Sequence, residues 1–335
     1  MEKILKQKIL VIGANGQLGV ELTTALAKKY GADNVIAADI RLPVIGLLVT
    51  RPPAKNLSVA NTIVSQTEVQ HTVLDVLDAT ALRQLVADHN ITQVYQLAAM
   101  LSATGEQFPL KAWDLNMQGL INVLELARDS SIQQVFWPSS IAAFGPNTPR
   151  ENTPQTTIMD PSTMYGISKL AGERLCEYYH SKYGIDVRSI RYPGVISYAS
   201  PPGGGTTDYA IEIFRAAKRG ETYTCFLEKD TTLPMIYMPD AIRATIELMS
   251  ADRAKLKVWS SYNVAGLSFS PTELACEIQK TMPNFEVQYQ PDFRQEIAQS
   301  WPCSINDSDA QAQWGWQPSY GIAALTKDML ENMAS

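Results

Sequence analysis

The sequence predicts an α/β protein built on a doubly wound parallel sheet, with a smaller α+β lobe at its C-terminal end. Three observations predict it. Short β-branched runs alternate with amphipathic helical stretches through roughly the first 190 of the 335 residues. A glycine-rich turn links the first such run to the first helical stretch. Beyond Gly194 the alternation loses its regularity, and a Pro-Pro-Gly-Gly-Gly loop, residues 201–205, intervenes. Strands separated by helices must pair in parallel through right-handed crossovers, which sandwiches the sheet between two helical layers. Residues 1–193 are therefore expected to form the sheet unit and 194–335 the smaller lobe, with some interleaving of the two.

The elements follow in order. Residues 8–12 (KILVI) read as the first strand, and 17–29 as the helix after it. Residues 34–39 are a second strand and 72–76 a third, followed by a helix over 79–89. Residues 93–97 form the fourth strand, 111–130 a long helix and 134–137 the fifth strand. A second long helix covers 162–183, and 186–192 is the sixth strand. The stretch from Ile40 to Leu74 is long for a link between neighbouring strands. Its apolar run, 44–49, followed by Pro52-Pro53, predicts an extra hairpin or surface excursion.

Composition removes several classes of function. Twenty-eight Lys and Arg against 34 Asp and Glu leave a net charge of −6, with no basic run. Nucleic acid and anionic membrane are therefore not expected partners. No apolar stretch reaches the ~20 residues of a membrane span. Residues 1–11 are too short and too charged for a signal peptide. Cys176, Cys225, Cys276 and Cys303 lie far apart with no CxxC pair, the pattern of reduced, cytoplasmic thiols. The three histidines, His71, His89 and His180, have no metal-ligand spacing to one another or to a cysteine, so no metal is expected.

The turn reads Gly13-Ala14-Asn15-Gly16-Gln17-Leu18-Gly19. Its position between strand and helix is that of a pyrophosphate cradle in a Rossmann-type fold. One glycine permits the tight bend, one lets backbone approach the phosphates, and one lets the helix pack against the sheet. With Asn15, Gln17 and Leu18 between them, they present the N–H groups of a helix N-terminus to an anion. Asp39 ends the second strand, 20 residues after Gly19. A carboxylate there accepts from both ribose hydroxyls and repels a 2′-phosphate, so NAD is expected over NADP. Arg41, two residues on, leaves some room for NADP.

Tyr165 and Lys169 are four residues apart near the start of the second long helix, hence on one face. A phenol has a pKa near ~10 and is a poor base at neutral pH. A nearby ammonium and a positive nicotinamide ring are expected to lower it until the phenolate can take a hydroxyl proton while hydride leaves the carbon. Ser140, at a strand end and 25 residues before Tyr165, faces the crevice where open α/β sheets bind ligands. It would hold the substrate oxygen.

These features together resemble the extended branch of the short-chain dehydrogenase/reductase superfamily. Leu97-Ala98-Ala99, Asn116 and Tyr192-Pro193-Gly194 also fit its pattern. Longer motifs resemble its metal-independent L-threonine 3-dehydrogenases: Leu101-Ser102-Ala103-Thr104, the run WPSSIAAFGP at 137–146, PPGGGTTDYA at 201–210, PDFR at 291–294 and Ser300-Trp301-Pro302. The resemblance implies NAD-dependent oxidation of the β-hydroxyl of L-threonine to 2-amino-3-oxobutyrate. Tyr165 would be the base, Lys169 its activator and ribose ligand, and Ser140 the group that orients the hydroxyl. Ser102, Thr206 and Thr207 would surround the amino and carboxylate groups, with the glycine run offering a backbone nest to the carboxylate. Trp301 would cover the site.

Leu97, Ala98, Ala99 and Tyr192 would line the NAD crevice, Asp75 and Val76 would flank the adenine, and Asn116 would steady Lys169 through water. Ser102 also fits a turn cap, Thr206 and Thr207 an N-cap, Asn116 a satisfied buried polar group, and Trp301 simple packing. The resemblance further implies a homodimer that pairs helices 111–130 and 162–183 into a four-helix bundle. The segment between Asp39 and Asp75 departs from the pattern by its length. Two other functions remain in view, a sugar-nucleotide epimerase and a non-catalytic NAD sensor. Against the first, no basic residues suited to a diphosphate surround 201–208. Against the second, both Tyr165 and Lys169 are present.

Overall fold

The computed structural model describes residues 7–42, 69–199 and 203–333. The expected hairpin beyond Ile40 falls on 43–68, outside the described residues. The chain begins with β1 (Ile9–Ile12), α1 (Gln17–Tyr30), β2 (Val35–Asp39), β3 (Gln70–Val73), α2 (Ala79–Asp88) and β4 (Gln93–Gln96). Next come α3 (Ser102–Gln107), α4 (Pro109–Trp113), α5 (Gly119–Asp129), β5 (Gln134–Ser140), α6 (Met164–Tyr183) and β6 (Asp186–Tyr192). The remainder runs β7 (Gly194–Ile196), α7 (Tyr209–Arg219), β8 (Tyr223–Cys225), β9 (Leu233–Tyr237), α8 (Met238–Ser250), β10 (Tyr262–Asn263), β11 (Leu267–Phe269), α9 (Pro271–Gln279), β12 (Val287–Tyr289), α10 (Arg294–Gln299), α11 (Ser308–Trp314) and α12 (Ile322–Asn332).

Seven strands make one parallel sheet in the order β10-β6-β5-β4-β1-β2-β3. Strand β1 shows why the sheet is buried on both sides. Ile9 and Val11 belong to the core beneath α1 and α8, whereas Leu10 and Ile12 belong to the core beneath α2 and α5. That is the alternation a period of two imposes. The order turns back between β1 and β4, and ligands bind in the crevice that such a switch opens at the strands' C-terminal ends.

Two elements differ from expectation. Strand β3 ends at Val73 because Leu74 and Val76 turn into the core and Leu74 N–H donates to Asp39 O (2.8 Å). The long helix expected over 111–130 is interrupted by a π-helical turn, Asp114–Gln118, between α4 and α5. Such turns shift the register of side chains and recur at functional sites. This one carries Asn116.

The second lobe is built on β11-β9-β7 and the β12-β8 pair. Its apolar core gathers residues of α7, α9, α10 and α12, and reaches Phe144 and Tyr165 of the first unit. The chain after Gly194 does not stay in that lobe: α8 packs on the α1 side of the large sheet, and β10 adds its seventh strand.

Candidate active site

The glycine turn brings three strand ends together. Gly13 has φ +80°, a left-handed conformation that disfavours a side chain, and a Cβ there would lie 2.7 Å from Ala98 N. The post-β4 segment Leu97-Ala98-Ala99, half-buried, therefore passes directly against the bend, with Leu97 N–H donating to Ile12 O (2.9 Å). A Cβ on Gly19 would overlap the Gly13 carbonyl, so only glycine lets α1 seat this closely. Gly16 caps α1 without a side-chain acceptor, and no acidic residue occupies the first turn. Those N–H groups and the dipole behind them suit a diphosphate. Gln17 Nε2 is buried here with no partner, a donor that an added acceptor would satisfy.

Asp39 Oδ2 accepts Asn15 N–H (2.9 Å), and the Asn15 amide donates to Arg41 O (2.6 Å), which fixes the carboxylate at the mouth of the crevice. Asp75 is exposed and binds Leu77 N–H (2.9 Å), while Val76 is buried against Gly119. Leu18 is half-buried. The cradle, the orphaned donor and the strand-end carboxylate fit NAD. Gly13, Asn15, Gly16, Gln17, Leu18 and Gly19 would hold its diphosphate, and Asp39 its adenosine ribose.

Helix α6 starts at an N-cap, Thr163, whose hydroxyl accepts Gly166 N–H (3.1 Å). Gly166 and Gly172 let it lie close to β5: a Cβ at the first would overlap Ala142 O, and at the second the Trp137 ring. That approach seats Tyr165 against the end of β5. Ser140 Oγ accepts Ala142 N–H (3.2 Å) and stands close enough to the Tyr165 hydroxyl to favour its ionised form. The Lys169 ammonium donates to Pro138 O (2.6 Å), 4.5 Å from the Trp137 ring centroid and 5.3 Å from that of Tyr165. Serine, tyrosine and lysine thus share one corner.

The electrostatics differ from expectation. Burial pushes the Tyr165 phenol up to about 12, opposed only by the nearby Ser140 hydroxyl, and pulls Lys169 down to about 7. The ammonium is spent on a carbonyl and an indole face, so desolvation governs the phenol until further positive charge arrives.

The interlobe contacts place the remaining residues. Ser102 Oγ and Thr206 Oγ1 lie 3.2 Å apart, both buried, and Thr206 N–H donates to Ser102 Oγ (3.3 Å). Thr207, half-buried beside Gly194, does not cap α7; Asp208 stands at that position. The expected backbone nest is already filled: Asp208 Oδ2 accepts both Gly204 N–H and Gly205 N–H at 2.8 Å. A tethered carboxylate three and four residues away outcompetes a diffusing one.

Three further placements bear on the roles the sequence left open. Asn116 binds Met100 N–H (2.8 Å) and Ser168 Oγ (3.1 Å) directly, tying the post-β4 segment to α6. Tyr192 turns its hydroxyl to Thr245 of α8 and its ring edge to Phe136, so its side chain packs in the core beneath α1 and α8. Trp301 is buried in the core that also holds Phe144 and Tyr165, which fits the packing role the sequence left open for it. Sequence reasoning gave no role to Glu173 and Arg191, and none to Ser139 and Asp208, which stand inside two of the longer motifs. Glu173 carried a signal, falling one helical turn past Lys169.

Residues 9–265 match the NAD dependent epimerase/dehydratase family. An uncharacterized epimerase/dehydratase of Staphylococcus aureus is 47% identical over 97% of this chain and 96% of its own length. Among solved structures, a partial consensus L-threonine 3-dehydrogenase is 55% identical with a TM-score of 0.90, covering 97% of this chain and 98% of that one. The holo form of a GalE-like L-threonine dehydrogenase from Cupriavidus necator is 54% identical, TM-score 0.88, over 97% and 99%. An L-threonine 3-dehydrogenase from a metagenome, described as monomeric, is 44% identical, TM-score 0.87, over 97% and 98%. A family match spanning most of the chain, on a sheet that ends in this cradle and this Ser/Tyr/Lys corner, makes the protein a member of the NAD-dependent epimerase/dehydratase family, the extended short-chain dehydrogenases.

Proposed function

We propose that this protein is an L-threonine 3-dehydrogenase, oxidising the β-hydroxyl of L-threonine to a ketone with NAD. The observation that carries the reading is the contact between Ser102 and Thr206. It joins the lobes beside the Tyr165 corner with two hydroxyls, which suit the ammonium and carboxylate of a small amino acid. Similarity to L-threonine dehydrogenases over nearly the whole chain supports the same substrate.

Bound NAD⁺ supplies a hydride acceptor and a positive ring. Ser140 holds the substrate hydroxyl toward Tyr165. Tyr165 takes its proton, the C–O bond becomes a carbonyl and the β-hydrogen leaves with its electron pair. Lys169 balances the charge left on Tyr165. Ser102, Thr206 and Thr207 orient the amino-acid end. Asn116 keeps α6 and the post-β4 segment in register, and Asp75 and Val76 bound the adenine end.

NADH absorbance at 340 nm tests the reading. L-threonine should raise it, and UDP-sugars should give neither NADH nor epimer. Conversion of a UDP-sugar instead would establish the epimerase reading that the relatives' names favour. NAD binding without turnover of either would leave a sensor.

No helix among the described residues is long and apolar enough to cross a membrane, and we place the enzyme in the cytoplasm, in threonine catabolism. We also propose a homodimer. Leu110 (78% exposed), Trp113, Ile167 and Tyr178 leave apolar surface on α4 and α6. Sedimentation at micromolar concentration decides between dimer and monomer.

A further inference from the structure

Strand β5 ends in three consecutive groups that grip α6. The Pro138 carbonyl accepts from Lys169 (2.6 Å), the Ser139 hydroxyl donates to Glu173 Oε1 (2.6 Å), and the Ser140 hydroxyl meets Tyr165. Residues 165, 169 and 173 recur at helical spacing, so one stripe of α6 is fastened to one strand end. Tyr165 and Lys169 have roles in the reaction proposed above. Glu173 does not, yet it is the most elaborately held of the three.

Its carboxylate is fully buried. Arg191 of β6, directly opposite Ser139 in the strand register, grips it with two N–H groups, at 2.9 Å to Oε1 and 2.8 Å to Oε2. Arg191 is itself fixed by Gln155 O (2.9 Å) and by Asn263 Oδ1 of β10 (3.0 Å). A buried ion pair is seldom the most stable filling for a core; well-packed apolar residues of similar volume often do as well or better. Keeping one within a turn of Lys169 suggests a purpose other than packing.

We propose that Glu173 is a positioning residue: held by Ser139 and Arg191, it sets the rotation and height of α6 on β5 and fixes a negative charge one helical turn from Lys169. The proposal rests on reading Tyr165 and Lys169 as the reacting pair.

The surroundings of Lys169 single out Glu173. From α6 come Tyr165, Glu173 and the buried Cys176; from β5, the Trp137 ring and the Pro138 carbonyl. Arg191 stands behind the carboxylate, and Arg174 lies 4.0 Å from it on the exposed side. Burial draws the lysine down to about 7, with Cys176 and Glu173 acting in the opposite direction. The Cys176 thiol is driven far up by its own burial and carries no charge at working pH. Glu173 is then the anion that counters desolvation.

The test follows the Lys169 Nζ resonance of the full chain labelled with ¹⁵N-lysine, assigned through Lys169→Arg, together with threonine kinetics. Glu173→Gln keeps the shape and still accepts from Ser139 but loses the charge. Its Lys169 midpoint should fall by ~1 unit, and kcat near pH 8 should drop roughly tenfold with KM for threonine little changed. Glu173→Asp keeps the charge on a shorter arm, so the midpoint should stay while kcat falls. An unchanged midpoint in Glu173→Gln, or wild-type kcat in Glu173→Asp, overturns the proposal. Should the glutamine variant not fold, the kcat of Glu173→Asp decides alone. The titration needs neither threonine nor turnover. A wild-type protein that ignores threonine therefore refutes the functional reading and leaves the Lys169 comparison standing.

Discussion

Replacing Lys169 by methionine tests how the base is made. With the phenol at about 12 and the lysine at about 7, the neutral pair is favoured over the phenolate–ammonium pair by about 5 units, or ~7 kcal/mol. Attraction between the two charges recovers part of this. At the 5.3 Å that separates Nζ from the ring centroid, an effective dielectric of ~20 gives ~3 kcal/mol. The remaining ~4 kcal/mol is the effect of one further positive charge at ~4 Å, which an oxidised nicotinamide ring provides and a reduced one does not.

Tyrosinate should therefore form only when Lys169 and NAD⁺ are both present. Difference absorbance near 295 nm, read near pH 8 with Tyr165→Phe as the blank, should rise on adding NAD⁺ but not NADH. In Lys169→Met that rise should vanish. Its turnover should fall ~100-fold, the kinetic counterpart of ~3 kcal/mol, and recover as pH is raised. Tyr165→Phe should lose at least ~10³-fold at every pH and still bind NAD. A tyrosinate signal of equal size with NADH, or in Lys169→Met, would show that the phenol is activated by something other than these two cations.

The same lysine makes a stability prediction of opposite sign. Folding lowers its pKa from 10.5 to about 7, so between those values the unfolded chain holds the extra proton and stability rises with pH. Below pH 7 the full cost of the buried charge applies, ~5 kcal/mol for a shift of about 3.5 units. Lys169→Met should accordingly melt above wild type near pH 6, with the advantage shrinking toward pH 10 in thermal scans. Gly13→Ala places a Cβ against Ala98 at positive φ. Combined strain and overpacking of roughly 2–5 kcal/mol should lower the melting temperature and weaken NAD binding by calorimetry. Asp39→Ala should raise the NAD dissociation constant roughly 10–100-fold, narrow the preference over NADP and spare kcat. Asp208→Ala removes the side chain that ties down Gly204 and Gly205, loosens the loop that carries Thr206 and Thr207, and should raise KM for threonine at least about tenfold, leaving NAD affinity unchanged; an unaltered KM counts against a role for that loop in substrate binding.

What the sequence disclosed depended on how local the physics was. The alternation of strands and helices and the glycine turn with Asp39 are short-range patterns, and they placed the large sheet within a few residues. The π-turn around Asn116 escaped notice because an inserted helical register leaves the apolar pattern almost intact. In β3, Leu74 and Val76 looked like strand residues, yet their burial follows the strand rather than forming it. The Tyr165–Lys169 spacing identified the corner but not its charge state, which is decided by burial among Trp137, Ser140 and the second lobe's core. Glu173 and Arg191 lie outside the recognised motifs, and Asp208 lies inside one without a role of its own. Their meaning comes from partners brought in by separate elements, Ser139 on β5 and the glycine loop before α7. Asp208 also shows how a backbone nest inferred from glycines is claimed by a neighbouring side chain.

Strand β10 has a consequence for biosynthesis. It is residues 262–263 that cover β6, and the same Asn263 side chain steadies Arg191. A chain emerging from the ribosome will therefore have made β6 long before its cover exists, leaving a strand with open backbone groups, the kind of border that recruits other chains. Truncation before Tyr262 should yield insoluble protein even though every residue of the NAD cradle is present, and chaperone demand should be greatest in that interval of synthesis.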